Sequence, residues 1–292
     1  MKDTIIKALM ADGNIRVMAT CTEQIVQGLK EMHNLSNVAT AAIGRTVSAT
    51  LMMGLDLKNE EDLITTIIKG DGPLGGLVVC VNGALEAKGY VYNGQVEPPL
   101  NAKGKLDVGG AIGEGTLTVI QDMGMKEPYS GQISLVSGEI AEDFTYYFMV
   151  SQQQPSAVAL GVLVSKEKVL SSGGIIIQPM PGCPEDAIKY VEERLDQVAN
   201  FNSLLYQGLE PFAIIETLFP DLNPKFLEEY TPSLNCGCNR EKLESVILGM
   251  GKAEIEDMIQ KDNGAQVHCT FCNQTYEFSA EELERLLQEA TL

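Results

Sequence analysis

Residues 75–83, GGLVVCVNG, set a β-branched run between glycines and an asparagine, the pattern of a strand closed by turns. Similar runs flank it: EDLITTIIKG (61–70), EAKGYVYNG (86–94) and GTLTVIQDMG (115–124). Gly, Asn and Asp turns separate them, which favours an antiparallel sheet over a regular βαβ alternation. YSGQISLVSG (129–138) reads as another strand. AVALGVLVS (157–165) and GGIIIQPM (173–180) read as two more, meeting across a turn near Ser171 to Gly174.

Outward from these strands the period becomes helical. TEQIVQGLKEMHN (22–34) has amphipathic spacing, and SNVATAAIGRTVSATLMMGLDL (36–57) continues helically, with Ser36 as N-cap and small residues that permit close packing. EIAEDFTYYFMVSQQQ (139–154) is a third helix. Residues 1–180 are thus expected to form an α+β domain of antiparallel sheet and helices. GDGPLGG (70–76) is glycine-rich but lacks the Lys-Ser/Thr and helix of a phosphate-binding loop, so a tight hairpin turn is the reading.

PMPGCPEDAIKYVEERLDQV (179–198) marks a boundary. Prolines and a glycine break the strand, then Pro184 with Glu185 and Asp186 opens a helix. FNSLLYQGL (201–209) and EPFAIIETLF (210–219) follow as short apolar helices, so residues 181–231 form a helical connector. Phe212, Ile214, Ile215, Leu218 and Phe219 are too apolar for a solvated linker and must pack on something.

Residues 232–292 are expected to form a small third module. REKLESVILGM (240–250) and KAEIEDMIQKDNG (252–264) read as helices, AQVHCTFCNQTYEF (265–278) as a hairpin turning at two cysteines, and SAEELERLL (279–287) as a capped helix.

The 292-residue chain carries 21 basic and 40 acidic side chains, a formal charge of −19. Residues 184–292, with 21 acidic and 8 basic, are the more acidic part. Such a field repels phosphate backbones, which argues against a nucleic-acid partner, and keeps a protein soluble when apolar surface is exposed. MKDTIIKALMADGNIRVMA (1–19) is broken by Lys7 and Asp12 before reaching signal-peptide length, and no run elsewhere approaches a membrane span. A cytoplasmic protein with no membrane partner is expected. In that reducing compartment its seven cysteines are thiols or metal ligands.

Four of them are clustered. LNCGCNREKL (234–243) places Cys236 and Cys238 one residue apart, and VHCTFCNQTY (267–276) places Cys269 and Cys272 two apart on a tight turn. A module this small buries little apolar surface, and four thiolates at tetrahedral reach suit one zinc ion. His268 beside Cys269 is not needed as a ligand when the thiolate set is full. Zinc binding keeps the sulfurs as thiolates, the nucleophilic form, so an oxidant can attack one and close a disulfide with its neighbour. The CxxC pair closes readily; a bridge across the single glycine of CxC is tighter and more labile. Oxidation would then eject the metal and unfold the module. An inert structural zinc module has the same spacing.

The whole chain resembles the redox-regulated 33 kDa heat-shock chaperones of the bacterial cytoplasm. CGC (236–238) and CTFC (269–272) match that family's cysteine pattern, and GDGPLGG (70–76), DMGMKEPYSGQISLVSGEIAEDF (122–144) and QPMPGCPED (178–186) look like its core-domain signatures. The resemblance implies an ATP-independent holdase and no enzyme. It implies one zinc held by Cys236, Cys238, Cys269 and Cys272 in the reduced, inactive state. Oxidative stress with unfolding conditions would convert these to two disulfides, Cys236 with Cys238 and Cys269 with Cys272, releasing zinc. The zinc module and connector would then unfold, and the protein would form a homodimer that holds unfolded client proteins.

Two rival classes differ from that expectation. A thiol-disulfide oxidoreductase would use the CxxC pair, but no thioredoxin-like βαβ unit surrounds Cys269 and the chain has two histidines in all. A zinc-ribbon nucleic-acid binder conflicts with the charge. Cys21 and Cys80 lie in apolar strand runs and read as buried small hydrophobes. Cys183 stands at a helix start, where the dipole would lower its pKa, though a packing or turn role is the expectation. Most of the twelve methionines read as core filling, with an adaptable client surface as the alternative.

Overall fold

The structure, a computed structural model, describes residues 1–102 and 104–289; the last three residues of the expected C-terminal module lie outside them. The chain divides into two compact units, Met1–Asn235 and Cys236–Leu292.

The first unit opens on a hairpin, β1 (Thr4–Met10) and β2 (Ile15–Cys21), then α1 (Glu23–Met32) and α2 (Asn37–Gly54). The meander β3 (Leu63–Gly70), β4 (Gly76–Asn82) and β5 (Glu86–Val91) follows. Next come α3 (Val108–Ile112), β6 (Gly115–Asp122), β7 (Tyr129–Ser134), α4 (Ala141–Val150) and the long pair β8 (Ala157–Val164) and β9 (Val169–Pro179). Four short helices, α5 (Glu185–Glu192), α6 (Leu195–Val198), α7 (Phe201–Tyr206) and α8 (Pro211–Leu218), lead to β10 (Lys225–Tyr230) and β11 (Ser233–Leu234). The second unit holds α9 (Arg240–Gly249), α10 (Lys252–Asp262), the hairpin β12 (Gly264–His268) and β13 (Thr275–Ser279), and α11 (Ala280–Glu289).

Among the described residues the strands of the first unit form two sheets, in the orders β10-β1-β2-β9-β8 and β11-β5-β4-β3-β6-β7. Apart from the β11–β5 pair, every pairing is antiparallel. The fold class is the expected α+β.

Helix α2 lies between the sheets and touches strands of both. Nearly all its residues are buried, and its hydroxyls are satisfied inside the helix or across to neighbours. Thr46, Ser48 and Thr50 donate to the carbonyls of Ala42, Gly44 and Thr46, and Ser48 and Thr50 also meet Thr22 and Thr66. Small and hydroxylated residues thus let a helix sit in the core without orphaned hydroxyls, although Arg45 Nε on the same helix is buried with no hydrogen-bond partner. Ser36 caps it as expected, accepting from Ala39 N.

The sequence places Cys21 in an apolar strand run, but the hairpin β1–β2 to which that run belongs is not marked in it. The first sheet has α2 on one face and α5–α8 on the other, so β2 is buried along almost its whole length and shows no clean alternation. The turn between β8 and β9 falls at Ser165 to Lys168, not at Ser171 to Gly174. Gly173 and Gly174 lie mid-strand because neighbours crowd them: a Cβ at Gly173 would sit 2.2 Å from Thr20 O, and one at Gly174 2.6 Å from Ala159 O. GDGPLGG does form the β3–β4 turn, with Gly75 and Gly76 at φ 73° and 142°.

The apolar connector packs on the first sheet. Ile214, Ile215, Leu218 and Phe219 are buried against β1, β2 and β9. Those four side chains contribute a gross transfer term of about 6–12 kcal/mol. Residues 225–230, expected to belong to the helical connector, instead form edge strand β10 on β1. Among the described residues, no helix is long and apolar enough to cross a membrane.

Candidate metal centre

The second unit has a small core: Ile247, Ile255, Phe278, Leu283 and Leu286 are its buried side chains. Arg240 lies over the Phe278 ring, 4.4 Å from its centroid, and its Nη2 donates to Glu282 Oε1 at 2.7 Å. Glu282 Oε2 in turn accepts from Ser279 N at 2.9 Å, and Ser279 Oγ from Glu282 N at 3.3 Å. That reciprocal pair starts α11 and ties it to α9, whose first residue is Arg240.

Each cysteine pair is placed by its own turn. Between Cys236 and Cys238, Gly237 has φ 63°, a conformation that glycine adopts without steric cost. Lys242 Nζ donates to Gly237 O at 2.7 Å, while the Asn239 side chain caps α9 by accepting from Lys242 N at 2.9 Å. The second pair sits on the loop joining β12 and β13. Cys269 N donates to Gln274 O and Asn273 N to Cys269 O, both at 2.8 Å, and Asn273 takes a left-handed φ of 58°. The loop curls back on itself, and the two sulfurs converge.

The turns bring all four sulfurs together. Cys236 Sγ is 3.6 Å from Cys269 Sγ, Cys238 Sγ is 3.1 Å from Cys272 Sγ, and all four lie within 4.8 Å of one another, half-buried. The four residues that the sequence singles out are therefore one cluster. His268, exposed at the end of β12 with Nδ1 3.2 Å from Thr275 Oγ1, is outside it.

Four thiols this close cannot ionise independently. Burial and the hydrogen bond to Cys269 push Cys236 up to about 11. Burial and the contact with Cys238 raise Cys272 as well. Cys238 is itself opposed by burial, yet hydrogen bonds from Tyr276 and the neighbouring thiols bring it down to about 7. Tyr276, with its hydroxyl 3.3 Å from Cys238 Sγ, is pushed up to about 12 by that sulfur. Ionisation of Cys238 is thus favoured over that of Cys236 and Cys272, and a cation at their centre would relieve that competition. The donor set can hold a metal ion of the kind that takes four sulfurs tetrahedrally.

Lys242 and Tyr276 escaped the sequence reading. Lys242 had a signal, its position three residues after the N-cap Asn239; Tyr276 reaches Cys238 only through the hairpin register, in which it opposes Val267.

The remaining cysteines are elsewhere. Cys21 and Cys80 are buried in β2 and β4, and burial pushes Cys21 up to about 11 and raises Cys80. Cys183 is half-buried before α5; burial raises its pKa and Asp186 adds to this, so the helix-start lowering is not found.

A family model described as "Hsp33 protein" matches residues 3–279. The "33 kDa chaperonin" of Acetivibrio thermocellus is 46% identical over 289 residues, covering 99% of this chain and 98% of its own. That of Ruminiclostridium cellulolyticum is 43% identical, covering 99% of both chains. Among solved structures, the 33 kDa chaperonin (heat shock protein 33 homolog) of Thermotoga maritima superposes with a TM-score of 0.90 at 37% identity, covering 100% of this chain and 99% of its own. On sequence and on fold, this chain belongs to the Hsp33 chaperone family.

Proposed function

We propose that the protein is a redox-gated, ATP-independent holdase acting in the cytoplasm. In the resting state Cys236, Cys238, Cys269 and Cys272 hold one zinc ion. The observation that carries this reading is the convergence of four sulfurs within 4.8 Å in a unit that has five buried apolar core side chains among its described residues. A peroxide oxidises the cluster: each thiolate pair loses two electrons and forms one S–S bond, Cys236 with Cys238 and Cys269 with Cys272, while each peroxide is reduced to two waters or hydroxides. The disulfide sulfurs no longer bind zinc, which leaves.

The second unit then loses what holds it, and the connector at residues 181–231 melts with it. The apolar faces of the connector and of the first sheet become available to unfolded clients and to a second copy, giving a homodimer. The −19 charge keeps this exposed form in solution and away from nucleic acid. Cys236–Leu292 is read as the redox module, and residues 1–180 as the client-binding and dimerisation domain. No turnover of substrate is required.

The test follows zinc release, thiol count and suppression of client aggregation together during peroxide treatment at mild heat. All three should change in step. Equal suppression by the reduced, zinc-loaded protein would refute the gating, and turnover of a disulfide substrate would favour an oxidoreductase instead.

A further inference from the structure

The segment leading into Cys236 is seated as a strand on the first unit. Ser233 N donates to Leu85 O at 3.1 Å and Asn235 N to Ala87 O at 2.9 Å, so β11 adds to β5 in parallel, at the end of a sheet that is otherwise antiparallel. Asn235 Nδ2 donates to Glu86 Oε1 at 2.7 Å. Leu234 leans on α1 and packs against the main core, in a space that Gly28 leaves open: a Cβ at position 28 would lie 2.6 Å from Leu234 Cδ2. A mid-helix glycine costs helix stability relative to alanine, and here it makes a notch for one branched side chain.

The main-chain bonds and the leucine contact read little sequence, and the bond from Asn235 to Glu86 is the contact here that depends on a polar side chain. Main-chain bonds accept any extended segment. The notch asks only for a leucine-like residue. A surface with these properties suits an unfolded polypeptide, and the chain's own β11 shows how such a segment lies on it.

We propose that the β5 edge together with the Gly28 notch is a client-docking site, occupied in the resting protein by β11 as an internal stand-in. Leu234 is two residues from Cys236, so melting of the metal-holding unit removes the anchor on its C-terminal side. An extended apolar segment of a non-native polypeptide then takes the place of Ser233–Asn235, with one branched side chain at Gly28. The trigger rests on the redox reading above; the site itself is present without it.

Two substitutions at the same contact should act in opposite directions. The probe is reduced, carboxymethylated α-lactalbumin, a permanently unfolded chain, and its binding is measured to the full-length protein. Leu234→Ser empties the notch, so the reduced, metal-loaded variant should bind the probe roughly tenfold more tightly than wild type does in the same state. Gly28→Leu fills the notch from the helix side, so after peroxide it should bind roughly tenfold more weakly than oxidised wild type. Gly28→Ala, which favours the helix, should show a smaller loss in the same direction. Metal content, thiol count and amide exchange of the first unit check that each variant is folded.

If Leu234→Ser gains no affinity although the Ser233 and Asn235 amides exchange freely, the site is refuted. Wild-type affinity in oxidised, folded Gly28→Leu and Gly28→Ala refutes it equally. Should peroxide fail to release metal from wild type, the redox reading falls, while the Leu234→Ser measurement, made without oxidant, still decides the site.

Discussion

Removing the metal from the reduced protein with a chelator should melt Cys236–Leu292 and leave the β3–β4 core of the first unit intact. Complete burial of its five core side chains contributes a gross transfer term of about 7–15 kcal/mol, before any cost of ordering the chain. A structural zinc in a small module contributes about 10–16 kcal/mol of apparent binding energy, whereas whole domains are stable by about 5–15 kcal/mol. Withdrawing the ion thus takes away as much as the unit could have in total. Demetallation also leaves four sulfurs competing for protons within 4.8 Å, which adds no compensating attraction. Amide exchange with residue resolution is the assay, with the thiols kept reduced so that metal loss is separated from disulfide formation. The amides of Cys269 and Asn273, which close the cysteine loop, and that of Ile255 in α10 should lose protection. The amides of the β3–β4 pair should keep theirs. Persistent protection at Asn273 and Ile255 after full demetallation would refute the reasoning, because the apolar core would then suffice.

Gly237→Ala places a Cβ on a residue at φ 63°, with only the Lys242 Nζ near by, so the cost is conformational, about 1–2 kcal/mol. Metal affinity by competition with a chromophoric chelator should fall roughly 5- to 30-fold, and an unchanged affinity would show that the turn tolerates the side chain. Asp143, fully buried, accepts from the backbone N–H of Val136, Ser137, Gly138 and Ile140. Asp143→Ala should therefore destabilise the first unit by about 3–5 kcal/mol and lower its thermal midpoint by about 6–20 °C, measured by calorimetry. The Cys21 thiol, pushed up from 9.0 to about 11 by burial, keeps its proton in the folded state while the unfolded chain loses its own. Stability should accordingly fall between about pH 9 and 11, by up to about 3 kcal/mol from this group, and Cys21→Ala should flatten that slope in denaturant titrations. In native protein near pH 8, alkylation should spare Cys21 and Cys80.

Local chemistry made several elements readable. The β-branched runs between turn residues marked β3, β4, β5 and β6, Ser36 marked the start of α2, and the spacing of Cys236, Cys238, Cys269 and Cys272 marked a set that could hold a metal without any fold in hand. These signals are carried by neighbours in the chain, through turn chemistry, capping and ligand spacing. The strands β1 and β10 carried no such mark and β2 only at its end near Cys21, because what makes them strands is what covers them. β2 is buried on both faces by α2 and by the connector helices, and β10 is held as an edge on β1.

Gly173 and Gly174 show the same limit: a pair of glycines reads as a turn until Thr20 and Ala159 are seen pressing on them from adjacent strands. The four cysteines that could hold a metal were legible, but Tyr276 beside Cys238, the competition among the thiols, and Leu234 filling the space at Gly28 were not. Sequence alone determined which residues could meet a metal and where the chain would turn, since both depend on spacing along the backbone. Tertiary structure alone decided which strands lie side by side and which small residues mark close approach, since those depend on contacts between segments far apart in the chain.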